Sequence, residues 1–232
     1  MELAVILAGA GSGRRMEGRG PKLLLDLAGM TLLERAAAPF LAHPAVTEIV
    51  AVVPEALLGP ARDALARVPR ERVVGARALA GGATRQESVR LGLESLDPRA
   101  AYVAVHDVAR PLATPALIER VFAAAREHGA AIPALPIRDT VKEVEAGRVT
   151  RSVPRERLVG AQTPQIFSRA ILARAHAQER TTPDATDDAA LVEALGLPVH
   201  VVAGEPSNLK ITEPTDLIVA MALLRSGSSG EV

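Results

Sequence analysis

Four short segments of this 232-residue chain carry the residue types that bind phosphates and hard metal ions. The first, LAGAGSGRRM over residues 7–16, holds Gly9, Gly11 and Gly13 with Arg14 and Arg15 behind them, and Lys22 follows shortly after. Glycines let backbone amides approach a bulky anion because no Cβ intervenes, and the cations can neutralise several phosphate oxygens at once. The second, GGATRQESV, sets Gly81 and Gly82 close to Arg85 and Ser88. The third, HDVARP, places Asp107 three residues before Arg110, and the fourth, NLKIT, contains Lys210 and Thr212. An apolar run that empties into such a glycine loop reads as a nucleotide-phosphate site; the plain alternative is a flexible turn with solvated arginines.

Two common phosphate loops are excluded by spacing. A dinucleotide fingerprint needs a third glycine or alanine, but the required position falls on Arg14 counted from Gly9 and on Met16 counted from Gly11. A P-loop ends in Gly-Lys-Ser/Thr, whereas Lys22 stands between Pro21 and Leu23. Asp107 is the natural ligand for Mg²⁺, a cation that needs only one or two protein carboxylates beside phosphate and water. Its alternatives are an ion pair with Arg110 or a helix cap. His106 ends an apolar run with nothing nearby to complete a nucleophilic triad, so a structural role is expected.

Only three of the 27 basic residues are lysine: Lys22, Lys142 and Lys210. Where arginine has replaced lysine so widely, the survivors are candidates for needing a compact ammonium charge. Formal charge is zero and no basic block occurs, which argues against a nucleic-acid footprint. No apolar run approaches the ~20 residues that span a bilayer, and no signal-peptide pattern opens the chain, so a soluble cytoplasmic protein is expected. The absence of cysteine excludes disulfides, a thiolate nucleophile and a cysteine-based metal site.

The elements that must position these residues alternate along the chain. Strands are expected at residues 3–7, 48–53, 72–75, 102–106, 130–135 and 199–202. Helices are expected at about 31–42, 60–67, 84–96, 114–128, 168–178, 187–195 and 214–225. Thr31 with Glu34 makes a capping box, and Thr114-Pro115 an N-cap followed by proline at the first helical position. Continuous apolar strands between helices predict an α/β fold: a mostly parallel, Rossmann-like open sheet with helices on both faces. Its ligands should lie beyond the carboxyl ends of the strands. Residues 137–160 break the alternation, being polar with β-branched residues about Ala146-Gly147, and predict a protruding β-arm. The arm is either a solvated hairpin or a dimer-forming element. Residues 1–225 are expected to form one domain and residues 226–232 a flexible tail.

The ordered set LAGAGSGRRM…PK, GGATRQESV, HDVARP, RDTVK, AQTPQ, ATDDA and NLKIT occurs in order within residues 3–212 and resembles the 2-C-methyl-D-erythritol 4-phosphate cytidylyltransferases of non-mevalonate isoprenoid biosynthesis. The resemblance implies a nucleotidyltransferase that joins CTP to methylerythritol phosphate and releases pyrophosphate. It implies that Ala10, Gly11, Gly13, Arg15 and Lys22 hold the triphosphate and part of the base, while Gly82 and Ser88 read the cytosine edge. Arg15, Lys22 and Lys210 would be catalytic, with Lys210 on the α-phosphate, and Asp107 would bind Mg²⁺. Arg110, Thr186 and Thr212 would contact methylerythritol phosphate, joined by Thr140 and Arg155 from a partner's arm in a homodimer. Lys142, in the same arm, is a weaker candidate. Two positions depart from the family pattern: Ala83 stands where an acidic residue is frequent, and Val108 replaces a smaller one. A ribitol-5-phosphate cytidylyltransferase is the alternative reading, differing in the alcohol pocket.

Overall fold

The computed structural model describes residues 1–10, 18, 20–69, 75–177 and 185–227. The N-terminal half contains β1 (Leu3–Ala8), the short pair β2 (Asp26–Leu27) and β3 (Met30–Thr31), α1 (Leu32–Leu41), β4 (Val46–Val53), α2 (Leu58–Arg67), β5 (Gly75–Ala80) and α3 (Arg85–Ser95). Next come β6 (Tyr102–Asp107), α4 (Pro115–His128), β7 (Ala130–Pro136), β8 (Val141–Glu145) and β9 (Arg148–Val153). The chain continues with β10 (Val159–Ala161), β11 (Gln165–Ser168), α5 (Arg169–His176), α6 (Asp188–Ala194), β12 (His200–Ala203) and α7 (Pro214–Gly227). The main sheet runs β10-β7-β11-β6-β1-β4-β5, with β12 also paired to β7.

Alternation of side chains across each strand explains why helices cover both faces. Leu3, Val5 and Leu7 face a core shared with α1, α2 and α4, built around Leu33, Phe40, Leu65 and Phe122. Ala4 and Ile6 face the opposite core, where Val89 and Leu93 of α3, Leu172 of α5 and Val192 of α6 pack. Local signals set the helix starts. Thr31 Oγ1 accepts from the Glu34 amide at 3.2 Å, and the Glu34 carboxylate accepts from the Thr31 amide at 2.5 Å, which completes the capping box. Thr114 caps α4 with Pro115 in its first turn, and Gly129 ends that helix at φ 86°.

Five expectations are corrected. The strand expected at 72–75 runs instead over Gly75–Ala80, pairing with β4 in parallel; residues 72–74 lie outside the described residues. The arm is shorter than 137–160. Its hairpin is β8 and β9, turning at Ala146 (φ 47°) and Gly147 (φ 77°), while Val159–Ala161 returns to the main sheet as β10. A strand was not foreseen at Gln165–Ser168, where β11 pairs antiparallel with both β6 and β7. Four residues are too few to display a period, and only burial of Ile166 and Phe167 on opposite faces reveals them as strand. The helix expected from 168 starts at Arg169, because Ser168 is its N-cap. Finally, Ser226 and Gly227 of the expected tail belong to α7, and residues 228–232 lie outside the described residues.

Candidate active site

A cavity of about 540 Å³ opens beyond the carboxyl ends of β1, β4, β5 and β6. Backbone bonds fasten its walls together. The Gly9 amide donates to Val52 O at 2.8 Å, Val108 to Ala8 O at 3.1 Å, Gly81 to Val53 O at 2.9 Å, and Ile211 to Ala109 O at 2.8 Å. The last of these carries Lys210 to the mouth of β6. At Gly81 an added Cβ would lie 2.7 Å from Ala10 Cβ and 2.8 Å from Ser88 Oγ, so only glycine lets these two loops meet.

Ala10, Lys22, Gly82, Ser88, Asp107 and Lys210, all singled out from the sequence, line this cavity together with Arg85. Among the described lining residues there are three cations (Lys22, Arg85, Lys210) and one acid (Asp107), a net charge of +2 that suits a polyanion. Ser88 Oγ accepts from the Gly82 amide at 3.1 Å and donates to Thr84 O at 2.8 Å, so it also shapes the glycine turn. Beside it, Glu87 accepts from the Ala83 amide at 2.8 Å.

Asp107 ends β6 and is 7% exposed. Burial alone would raise its pKa, but Lys210 Nζ at 2.7 Å from Oδ2 and Arg85 at 3.4 Å from Oδ1 outweigh it and hold the carboxyl at about 2. The Asp107 carboxylate is therefore paired with Lys210 and Arg85 rather than with Arg110, the partner considered from sequence. Its neighbour His106 is fully buried. Burial pushes the imidazole down to about 4, so it is neutral at pH 7. Nε2 lies 3.0 Å from the Arg110 carbonyl and must donate to it, which leaves Nδ1 to accept from the Thr163 hydroxyl at 3.0 Å. Thr163 Oγ1 in turn accepts the Asp107 amide at 3.0 Å. The histidine is a strut for the Asp107 loop, in line with the structural role expected of it.

The remaining candidates divide. Gly11, Gly13 and Arg15 lie outside the described residues. Arg110 stands outside the cavity lining, donating to Asn208 O at 2.8 Å and Ala161 O at 3.3 Å, with its Nε buried and unpartnered. Thr212 donates through its amide and hydroxyl to Asp216, whose carboxylate also feels Lys22. Thr186 is exposed before α6. Thr140 and Arg155 are exposed at the base of the hairpin, where Arg155 donates to Arg138 O. Lys142 lies on the arm, bonded to Ser152 across the two strands and away from the cavity.

Sequence reasoning gave no role to Asp188, which the structure ties to the cavity. It is fully buried and accepts from Arg85 at 2.8 Å. Asp187 caps α6, so the second aspartate of the pair had no local task, and that surplus was the available signal. Burial raises the pKa of Asp188, but Arg85 and His176 outweigh it and keep it charged.

Comparison with known proteins agrees with this geometry. A sequence model of the family described as 2-C-methyl-D-erythritol 4-phosphate cytidylyltransferase matches residues 3–226. Proteins of that name from Frankia casuarinae and Thermus thermophilus are each 44% identical to this chain, over 96% of it and 81% of the first relative, and 99% of it and 100% of the second. The crystal structure of the enzyme from Thermus thermophilus superimposes with a TM-score of 0.78 at 41% identity, covering 97% of this chain and 100% of the other. Sequence and fold both match, and the chain belongs to the 2-C-methyl-D-erythritol 4-phosphate cytidylyltransferase family.

Proposed function

We propose that this chain transfers the cytidylyl group of CTP to 2-C-methyl-D-erythritol 4-phosphate, giving the CDP-alcohol and pyrophosphate. The observation that carries the reading is the net-positive cavity at the strand ends, where Lys210 and Arg85 pair with Asp107 and Lys22 joins them in the lining. A phosphate oxygen of the alcohol substrate is already anionic at neutral pH, so the reaction needs no general base. That requirement agrees with a buried, neutral His106 committed to structural bonds. What the reaction does need is charge neutralisation and in-line placement of two anions.

In this reading Lys22, Lys210 and Arg15 neutralise the triphosphate, with Lys210 at the α-phosphate. Ala10, Gly11 and Gly13 cradle it through backbone amides, and Gly82 and Ser88 meet the cytosine edge. Asp107 is the single acid among the described lining residues, and no group of three or more acidic or histidine ligands occurs among the described residues. One carboxylate fits Mg²⁺ shared with substrate phosphates, since that ion keeps several waters. When bound, it would supply further neutralisation of phosphate charge. Arg110, Thr186 and Thr212, with Thr140 and Arg155 from a partner's arm, hold the methylerythritol phosphate.

We further infer one domain over residues 1–225, a homodimer formed through the arm, and a cytoplasmic location; among the described residues no helix is long and apolar enough to cross a membrane. Pyrophosphate release with CTP and Mg²⁺ tests the reading, with methylerythritol phosphate and ribitol phosphate run side by side. Release with methylerythritol phosphate alone is expected. Release only with ribitol phosphate refutes the substrate, and silence with both refutes the transfer.

A further inference from the structure

An unbroken line of charged and polar side chains leads from the core to the cavity. His176 Nε2 lies 3.0 Å from Asp188 Oδ1, and Arg85 reaches Asp188 Oδ2 at 2.8 Å. The other amine of Arg85 lies 3.4 Å from Asp107 Oδ1, and Lys210 Nζ lies 2.7 Å from Asp107 Oδ2. His176 and Asp188 at the inner end are 1–2% exposed, Arg85 and Asp107 are 28% and 10% exposed, and Lys210 at the cavity is 45% exposed. The inner end is rigid, because the Asp188 amide also donates to Gln165 Oε1 at 3.1 Å.

Arg85 is thus clamped at one end by a carboxylate fixed in the core and offers its other amine to Asp107. A planar guanidinium spans two carboxylates in this way through a fixed fork of donors, which a compact ammonium on a flexible stem does not offer. The consequence falls on Lys210. Asp107 divides its charge between two cations, so neither holds it alone. Without Arg85, Lys210 would be the sole counter-ion of a nearly buried carboxylate, and opening such a pair is costly.

We propose that Arg85 is a positioning residue which, anchored by the Asp188–His176 pair, shares the Asp107 carboxylate and so keeps the Lys210 ammonium free to pass from Asp107 to a bound phosphate. The identity of that phosphate rests on the cytidylyl-transfer reading; the sharing of Asp107 does not.

The three lysines of the chain make the sharing measurable without substrate. Acetylation of the intact protein, resolved by mass spectrometry, reports Lys210 against Lys142, which stands on the arm away from the cavity. Arg85→Gln alone strands the buried Asp188 charge, so Arg85→Gln/Asp188→Asn is the main variant, because an amide at 188 still accepts from His176. The Lys210-to-Lys142 ratio is expected to fall at least about threefold in that variant, since Lys210 loses a repelling neighbour and gains an undivided carboxylate. Adding Asp107→Asn removes the carboxylate and is expected to restore the ratio. An unchanged or raised ratio in the first variant, or no recovery in the second, overturns the proposal. In the transfer assay the first variant is expected to lose about tenfold or more in kcat with its melting temperature kept. Full kcat there overturns the link to Lys210, whereas an unaltered chain that is silent with CTP overturns the transfer reading and leaves the acetylation result standing.

Discussion

Replacing Lys210 by alanine separates what its charge does for the fold from what it does for the reaction. Lys210 Nζ lies 2.7 Å from Asp107 Oδ2. At an effective dielectric of ~20 this contact is worth about 6 kcal/mol as a bare Coulomb attraction. The lysine side chain is 45% exposed, so solvent screening and side-chain entropy reduce that to about 1 kcal/mol. Asp107 is also not orphaned by the change, because Arg85 remains at 3.4 Å. A loss of about 1 kcal/mol corresponds to a fall in Tm of about 2–4 °C for a chain of this size. The catalytic loss is different in kind. Removing one preorganised charge from the reacting phosphate should lower kcat by about 10²–10³, or ~3–4 kcal/mol. The assay is continuous pyrophosphate release with saturating CTP and methylerythritol phosphate, paired with a circular-dichroism melt of the same preparation. A kcat within threefold of the unaltered chain would refute the placing of Lys210 at the α-phosphate. A collapse of the melt would instead show that the ion pair holds the loop together and that the charge reasoning is wrong.

Two further outcomes follow from other parts of the molecule. His106 is expected to titrate near pH 4 in the folded chain, against about 6.5 unfolded. The unfolded chain therefore binds the proton first, and stability should fall by up to about 3 kcal/mol as pH drops from 6.5 to 4. Ring-proton NMR checks this, and a His106 resonance titrating above pH 6 would contradict it. The arm hairpin exposes Val144 and Val149, which face each other across its two strands. Deleting residues 143–151 and joining Lys142 to Ser152 through two glycines should convert the proposed homodimer to a monomer by analytical ultracentrifugation. CTP binding by calorimetry should persist, and a variant that remains dimeric sinks the arm-borne interface.

Signals that act within a few residues were legible in the sequence. The Thr31–Glu34 capping box, the Thr114-Pro115 helix start and the turn at Ala146-Gly147 form where the residue types predict, because caps and turns are satisfied by atoms three or four positions away. The parallel α/β character was equally readable, since strands buried on both faces must be apolar without a break. The chemistry-bearing loops were legible as residue types: Ala10, Lys22, Gly82, Ser88, Asp107 and Lys210 were named, and one cavity gathers them. What the sequence could not assign were partners. Asp107 was weighed against Arg110, three residues away, yet its carboxylate pairs with Arg85 from α3 and Lys210 from the loop before α7. The insertion of β11 between β6 and β7, and with it the Thr163 hydroxyl that fixes His106 and Asp107, was likewise decided by packing. Sequence by itself determined which groups are available and which local shapes they take. Tertiary structure decided which charges share a desolvated space, because burial and ion pairing depend on segments that only the sheet topology brings together.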